Sequence, residues 1–259
     1  MPTAGGMSYS DHGGGARAEG HPPLVLIHGA GGNRLFWPPG LRRLEGVRVC
    51  AVDLPGHGQS ADAGRSTVEG YAAAVVEWMR AIGLGPAVLA GHSMGGAVAL
   101  QLGLLYPERT AALVLVGSGG RLRVHPAILE LAERAETHRQ AVDLIVEWCF
   151  SAAAPPRLVE LARQRMAAAS VGVLSADLIA CDRFDVLGRL GEVRAPTLVV
   201  YGSEDRMTPE RHQRALAEAI PGAVVERIEG AGHMVMIEQP EAVRAALGGF
   251  LETRRRSPR

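Results

Sequence analysis

The chain has 259 residues, 47% of them hydrophobic and 21% charged, with 27 basic side chains set against 27 acidic ones. That length can bury a sizeable core as one α/β domain with an insertion, and the composition is that of an ordinary globular protein. Balanced charge leaves no global field to draw nucleic acid or a membrane surface, and no apolar run reaches the length of a bilayer span.

Residues 1 to 23 are glycine-rich and polar, with one alternating fragment, Met7-Ser8-Tyr9-Ser10, that suits an edge strand. The run Gly13-Gly14-Gly15 predicts a loop, and without a strand-to-helix frame it is not a phosphate cradle. Leu24 to Ile27 is a continuous apolar run, the mark of a strand covered on both faces, and ends in His28-Gly29-Ala30-Gly31-Gly32-Asn33. A second strand, Val47 to Val52, closes at the turn-rich Asp53-Leu54-Pro55-Gly56-His57-Gly58-Gln59-Ser60. Thr67 to Ile82 has helical spacing, with Tyr71, Val75, Trp78, Met79 and Ile82 on one stripe and Trp78 a core residue. Pro86 to Ala90 then predicts a strand, Ser93 to Tyr106 a helix, and Ala111 to Val116 another buried strand. This alternation implies parallel pairing with right-handed crossovers, a doubly wound, mostly parallel α/β sheet.

The rhythm breaks between 119 and 194, where Ala, Leu, Arg and Glu predominate around Pro126, Pro155-Pro156 and Gly172. Three or four helices are expected there, as a lid over the carboxyl ends of the strands. Alternation resumes with strand Thr197 to Tyr201, helix Pro209 to Ile220, strand Ala223 to Ile228 and helix Pro240 to Leu251. The expected organisation is a core at 1–118 and 195–259 with a helical insertion at 119–194. Cys50, Cys149 and Cys181 are odd in number and widely spaced, which predicts buried thiols and no metal site. With no secretory signal pattern at the N-terminus, the cytoplasm is the expected location. Arg254, Arg255, Arg256 and Arg259 read as a solvated tail.

The most informative stretch is Val88 to Leu100, where an apolar strand runs through Gly91-His92-Ser93-Met94-Gly95 into an apolar helix. A serine at the tip of so sharp a turn needs a positive φ, which Gly91 and Gly95 permit by carrying no side chain to collide. Its hydroxyl requires a base. His12, His21, His125, His138 and His212 fall in polar or helical surface settings. His57 and His92 suit structural hydrogen bonds, and His28 suits orientation of the glycine loop. His233, in Gly230-Ala231-Gly232-His233, follows the last strand onto the carboxyl edge, where open α/β sheets bind ligands. Asp205 lies past the turn after Tyr201 and suits orientation of that imidazole better than Glu204, which is expected to point to solvent. Asp53 lies out of the chain order Ser, acid, His. The oxyanion donors expected are the backbone N–H groups of Ala30 and Met94.

These landmarks, together with Gly202-Ser203-Glu204-Asp205, Gly232-His233-Met234 and Glu238-Gln239-Pro240, resemble the α/β-hydrolase superfamily, in particular its small lidded esterases, lactonases and perhydrolase-like members. The resemblance implies a Ser93-Asp205-His233 triad with an oxyanion hole at Ala30 and Met94, and no cofactor. Relatives that dehalogenate or open epoxides carry aspartate at the elbow, so Ser93 speaks against those reactions. Gly31, Leu35, Trp148 and Met234 are candidate pocket residues.

Leu144, Ile145, Trp148 and Cys149 share one helical face of the insertion, as do Leu158, Leu161 and Met166 more loosely; they either pack the insertion down or line an acyl pocket, and packing is the expected role for most. Arginines 121, 123, 134, 139, 157, 163 and 165 interleave with glutamates 130, 133, 136 and 147, a mixed-charge face rather than an anion site. The expected partner is therefore a small, uncharged ester. Lactone, thioester or carbon–carbon cleavage by the same residues, or a small-molecule receptor with slow turnover, are the alternatives, and the oligomeric state is not readable.

Overall fold

Four short apolar runs form the centre of the sheet because each can bury both faces. The computed structural model describes residues 1–13, 20–61 and 63–253, so Gly14, Gly15 and the arginines of the tail lie outside the described residues. In chain order the elements are β1 (Thr3–Ala4), β2 (Met7–His12), β3 (Leu24–Ile27), α1 (Pro39–Arg42), β4 (Val49–Val52), α2 (Val68–Ala81), β5 (Ala87–His92), α3 (Met94–Leu105) and β6 (Thr110–Val116). They continue with α4 (Pro126–Ala132), α5 (His138–Cys149), α6 (Pro156–Ala167), α7 (Val171–Arg183), β7 (Thr197–Gly202), α8 (Glu210–Ala219), β8 (Val224–Ile228), α9 (Val235–Glu238) and α10 (Pro240–Glu252).

The eight strands form one sheet in the order β1-β2-β4-β3-β5-β6-β7-β8. β1 and β2 pair antiparallel with their neighbours, and every pairing from β4 to β8 is parallel. The strand that begins at Met7 is thus second from the border, and the edge belongs to the two-residue β1, too short for a periodic signal. Alternate residues feed opposite cores. Val25 and Ile27 join α2, α3 and α8 on one face, while Leu24 and Leu26 join α1 and α10 on the other. This is why the central strands read as unbroken apolar runs.

Thr67 caps α2 by accepting from the Gly70 N–H at 3.1 Å, and Trp78 is fully buried, its ring edge-on to Tyr9 at 5.3 Å. α3 is buried all round from Met94 to Gly103, as a helix apolar on every face must be. At the far border β8 exposes Val224 to Arg227, with Glu226 and Arg227 charging the edge. Between β6 and β7 the described residues hold the four helices α4 to α7. No helix of the described residues is long and apolar enough to cross a membrane. Cys50, Cys149 and Cys181 are free, buried thiols.

Candidate active site

β5 ends at His92 and the chain turns into α3 through Ser93, whose φ of 53° and ψ of −118° make it the one non-glycine residue with positive φ among the described residues. Such a conformation costs of order 1–3 kcal/mol and persists only where the surroundings enforce it. They do so here. The Ser93 N–H donates to the Val116 carbonyl at 2.9 Å, and its carbonyl accepts from the Ser118 hydroxyl at 2.8 Å. A Cβ on Gly91 would collide with the Gly95 carbonyl, and one on Gly95 with the carbonyls of Ile27 and His28. Gly95→Ala is therefore expected to lose about 3 kcal/mol or more of stability, measured by urea unfolding, because rigid backbone is the obstacle.

Asp205 follows β7, and His233 follows β8. His233 Nδ1 lies 2.9 Å from Asp205 Oδ2, and that oxygen also accepts from the Thr208 hydroxyl at 2.8 Å. The other oxygen accepts from the N–H groups of Met207 and Thr208 at 2.9 and 2.8 Å. Burial alone would push the pKa of this carboxyl up, yet the imidazole and the Thr208 donors outweigh it and hold Asp205 below the ordinary carboxylate range. Glu204 is exposed, its carboxylate accepting from the Ala152 N–H at 3.4 Å. Asp53 is buried elsewhere, bound by the Arg34 guanidinium and the Gln59 N–H. Behind His233, the His92 ring sits at 4.7 Å and donates from Nε2 to the His233 carbonyl at 3.0 Å. Burial and the neighbouring His233 push His92 down to about 3, so it stays neutral.

The loop after β3 is held from behind. His28 is fully buried, its Nε2 accepts from the Leu54 N–H at 3.0 Å, and its Nδ1 therefore donates to the Gly29 carbonyl at 2.8 Å. The Gly32 N–H donates to the same carbonyl at 3.1 Å. With the carbonyl of the Gly29–Ala30 peptide fixed, the Ala30 N–H at its other end points the opposite way. Neither Ala30 N–H nor Met94 N–H, the first amide of α3, is paired with an acceptor among the described residues.

Ser93, Ala30 and His233 line one pocket of about 150 Å³. Its walls come from the carboxyl-edge loops and from α4 to α7, through residues such as Ile128, Ile145, Trp148, Met166 and Leu178. The Ser93 hydroxyl, free of protein partners among the described residues, opens into it. A sequence profile of the alpha/beta hydrolase family matches residues 24–246. The chain belongs to the alpha/beta hydrolase family. It is 35% identical over 256 residues to the dihydrolipoyllysine-residue acetyltransferase component of the acetoin cleaving system of Pseudomonas putida, covering 90% of this chain and 64% of that protein. The hydrolase thus spans less than two thirds of that relative's length. It is 29% identical over 261 residues to the 2-hydroxy-6-oxo-6-phenylhexa-2,4-dienoate hydrolase of Burkholderia cepacia, covering 88% and 87% of the two chains. Among solved structures, a thermophilic esterase superposes with a TM-score of 0.82 at 36% identity, over 96% of this chain and 94% of that one.

Two pocket expectations need correction in this hydrolase, while Trp148 and Met234 do line the cavity. Leu35 is 40% exposed and outside it, because the 3-10 turn Arg34–Phe36 carries Phe36 inward in its place. Gly31 is buried but does not line the pocket, since its N–H is turned toward Asp177 at 2.8 Å. The apolar face of the insertion does both things expected of it: Ile145, Cys149 and Met166 are packed in the core and, with Trp148, also face the cavity, while Leu161 is 41% exposed. Arg123 and Arg206 also line the cavity, yet their guanidinium groups bond to the carbonyls of Asp182 and Glu147.

Asp177 and His57 carried no signal in the sequence as a pair. The His57 ring places Nδ1 at 3.0 Å from the Pro55 carbonyl and Nε2 at 2.7 Å from Asp177. Burial depresses this imidazole, but the Asp177 carboxylate, the Pro55 carbonyl and Asp53 together raise it above its ordinary value, while the neighbouring His28 is held well below. A raised folded-state value means that the contribution of this pair to stability is complete below the ordinary imidazole value of about 6.5 and is lost as pH rises from there through the higher folded-state value. The melting temperature is expected to carry such an alkaline-side decline, and Asp177→Asn to flatten it.

Proposed function

We propose that this hydrolase cleaves small, largely uncharged carboxylic esters through an acyl-enzyme on Ser93. The observation that carries the proposal is that His233, oriented by Asp205, and a Ser93 hydroxyl without a protein partner among the described residues line one small, mainly apolar cavity. In this reading Ser93 Oγ attacks the ester carbonyl as His233 Nε2 takes its proton, with Asp205 holding the Nδ1–H tautomer and stabilising the imidazolium. The Ala30 and Met94 N–H groups receive the oxyanion, and His233 passes its proton to the departing alcohol. Water then repeats the sequence and frees the acid. The segment α4–α7 acts as the lid that excludes solvent and shapes the acyl site. Buried reduced thiols suit a reducing compartment, and the cytoplasm is the proposed location.

A series of p-nitrophenyl esters tests this directly. Turnover is expected to be highest for short acyl chains and to fall for octanoate and longer, and a fluorophosphonate should add its mass to the peptide carrying Ser93. Absence of both turnover and labelling would discard the reading. A second one, in which the same residues break another bond, is favoured by the 29% identity to the Burkholderia cepacia hydrolase, and profiling lactones, thioesters and diketone-type substrates separates the two.

A further inference from the structure

Asp177 takes no part in the acyl transfer proposed above, yet its carboxylate is fully buried and fully engaged. Oδ2 accepts from the Gly31 N–H at 2.8 Å and from His57 Nε2 at 2.7 Å, and Oδ1 accepts from the Tyr71 hydroxyl. The acceptor belongs to α7, whereas the donors belong to the loop after β3, the loop after β4, and α2. Burying a carboxylate is unfavourable unless it is paired, and apolar packing would join these elements at lower cost. What the carboxylate does that packing would not is direct one backbone amide.

We propose that Asp177 is a positioning residue that completes the oxyanion hole: α7 sets its carboxylate on the Gly31 N–H, fixes the Ala30–Gly31 peptide and so aims the Ala30 N–H. This rests on the acyl-transfer reading of the site. Ala30 lies between two peptide planes, and both are clamped. His28 Nδ1–H and the Gly32 N–H hold the Gly29 carbonyl on one side, and Asp177 holds the Gly31 N–H on the other. Gly31 has φ 61°, and a Cβ there would lie 2.9 Å from Cδ1 of Leu174, a residue of the same α7. Seating of α7 therefore both closes over the loop and locks its dihedrals. The clamp on the Gly31 side of Ala30 therefore forms only when α7 is seated, completing what His28 and Gly32 begin on the other side.

Asp177→Asn keeps the size of the side chain but must turn an NH₂ toward either Tyr71 or the Gly31 and His57 donors. We expect kcat to fall about 10- to 100-fold, less than loss of a whole oxyanion donor, with KM within two-fold of wild type. Affinity for a trifluoromethyl ketone, which forms a hemiketal oxyanion on Ser93, should fall by the same factor, while a non-reactive ether analogue binds unchanged. Tyr71→Phe, which leaves Oδ2 and Gly31 as they are, should stay within two-fold on both readouts. Unaltered kcat and ketone affinity in Asp177→Asn, or equal losses in Tyr71→Phe, overturn the proposal. Should Asp177→Asn not fold, amide exchange in the wild type decides: the Gly31 amide is expected to exchange at least about 100-fold more slowly than that of Ala30, and equal rates overturn it. Turnover that survives Ser93→Ala would remove the acyl-transfer reading itself. Ser93-dependent turnover beside an unaffected Asp177→Asn would remove only the role of Asp177.

Discussion

Ser93→Ala is expected to lower kcat on a short p-nitrophenyl ester by about 10⁶-fold, leaving a residue of rate from oxyanion donors and binding alone. The loss is that large because in the proposed mechanism nucleophile and base act as one unit, so removing either abolishes the covalent route. Stability offers the control. The hydroxyl has no protein partner among the described residues, and the bonds that hold the turn run through the Ser93 N–H and carbonyl, which alanine retains. The melting temperature should therefore stay near that of wild type while activity vanishes, measured by calorimetry beside a burst-phase assay. A variant that keeps more than about one hundredth of wild-type turnover would exclude Ser93 as nucleophile.

Asp205→Asn should lower kcat by about 10⁴-fold with little change in KM. Asparagine can still accept from Met207 and Thr208 through Oδ1, so the loop keeps its shape. Its NH₂, however, would face His233 Nδ1, favouring the tautomer with the proton on Nε2, where it cannot accept one from Ser93. The pH dependence follows with a definite sign. Because the folded-state value of Asp205 is depressed, its stabilising contribution is present above the ordinary carboxylate value near 3.9 and is lost as pH falls through the folded value. Acid unfolding monitored by circular dichroism should be less steep in Asp205→Asn across that range.

Much of the sheet was legible because its central strands are buried on both faces, a condition that leaves no room for polar residues from Leu24 to Ile27 or from Leu113 to Val116. The turn at Ser93 was legible for a steric reason, since only glycine fits at 91 and 95 beside backbone carbonyls. Asp205 and His233 could be placed by the strands they follow. What could not be read depends on contacts between remote segments. Asp177 stands 146 residues from Gly31, 120 from His57 and 106 from Tyr71, and an aspartate inside an otherwise unremarkable helix gives no local sign of such partners. The exchange of Leu35 for Phe36 at the pocket wall follows from a single three-residue turn, capped by the Asn33 side chain, whose rotation the spacing of apolar residues does not reveal.

The histidine loop is also stitched to the end of α5. The Met234 N–H donates to the Cys149 carbonyl at 3.0 Å, and Glu238 accepts from the Ser151 and Gly232 N–H groups at 3.1 and 2.9 Å. Gly232 lies so close to the Phe150–Ser151 backbone that a Cβ there would meet the Ser151 nitrogen at 2.6 Å. Domain-swap engineering thus has a boundary condition in this molecule: a foreign cap grafted between β6 and β7 inherits the register of the His233 loop, and a chimera that ignores residues 149–151 and 232–238 is expected to disturb the proposed base while it exchanges specificity.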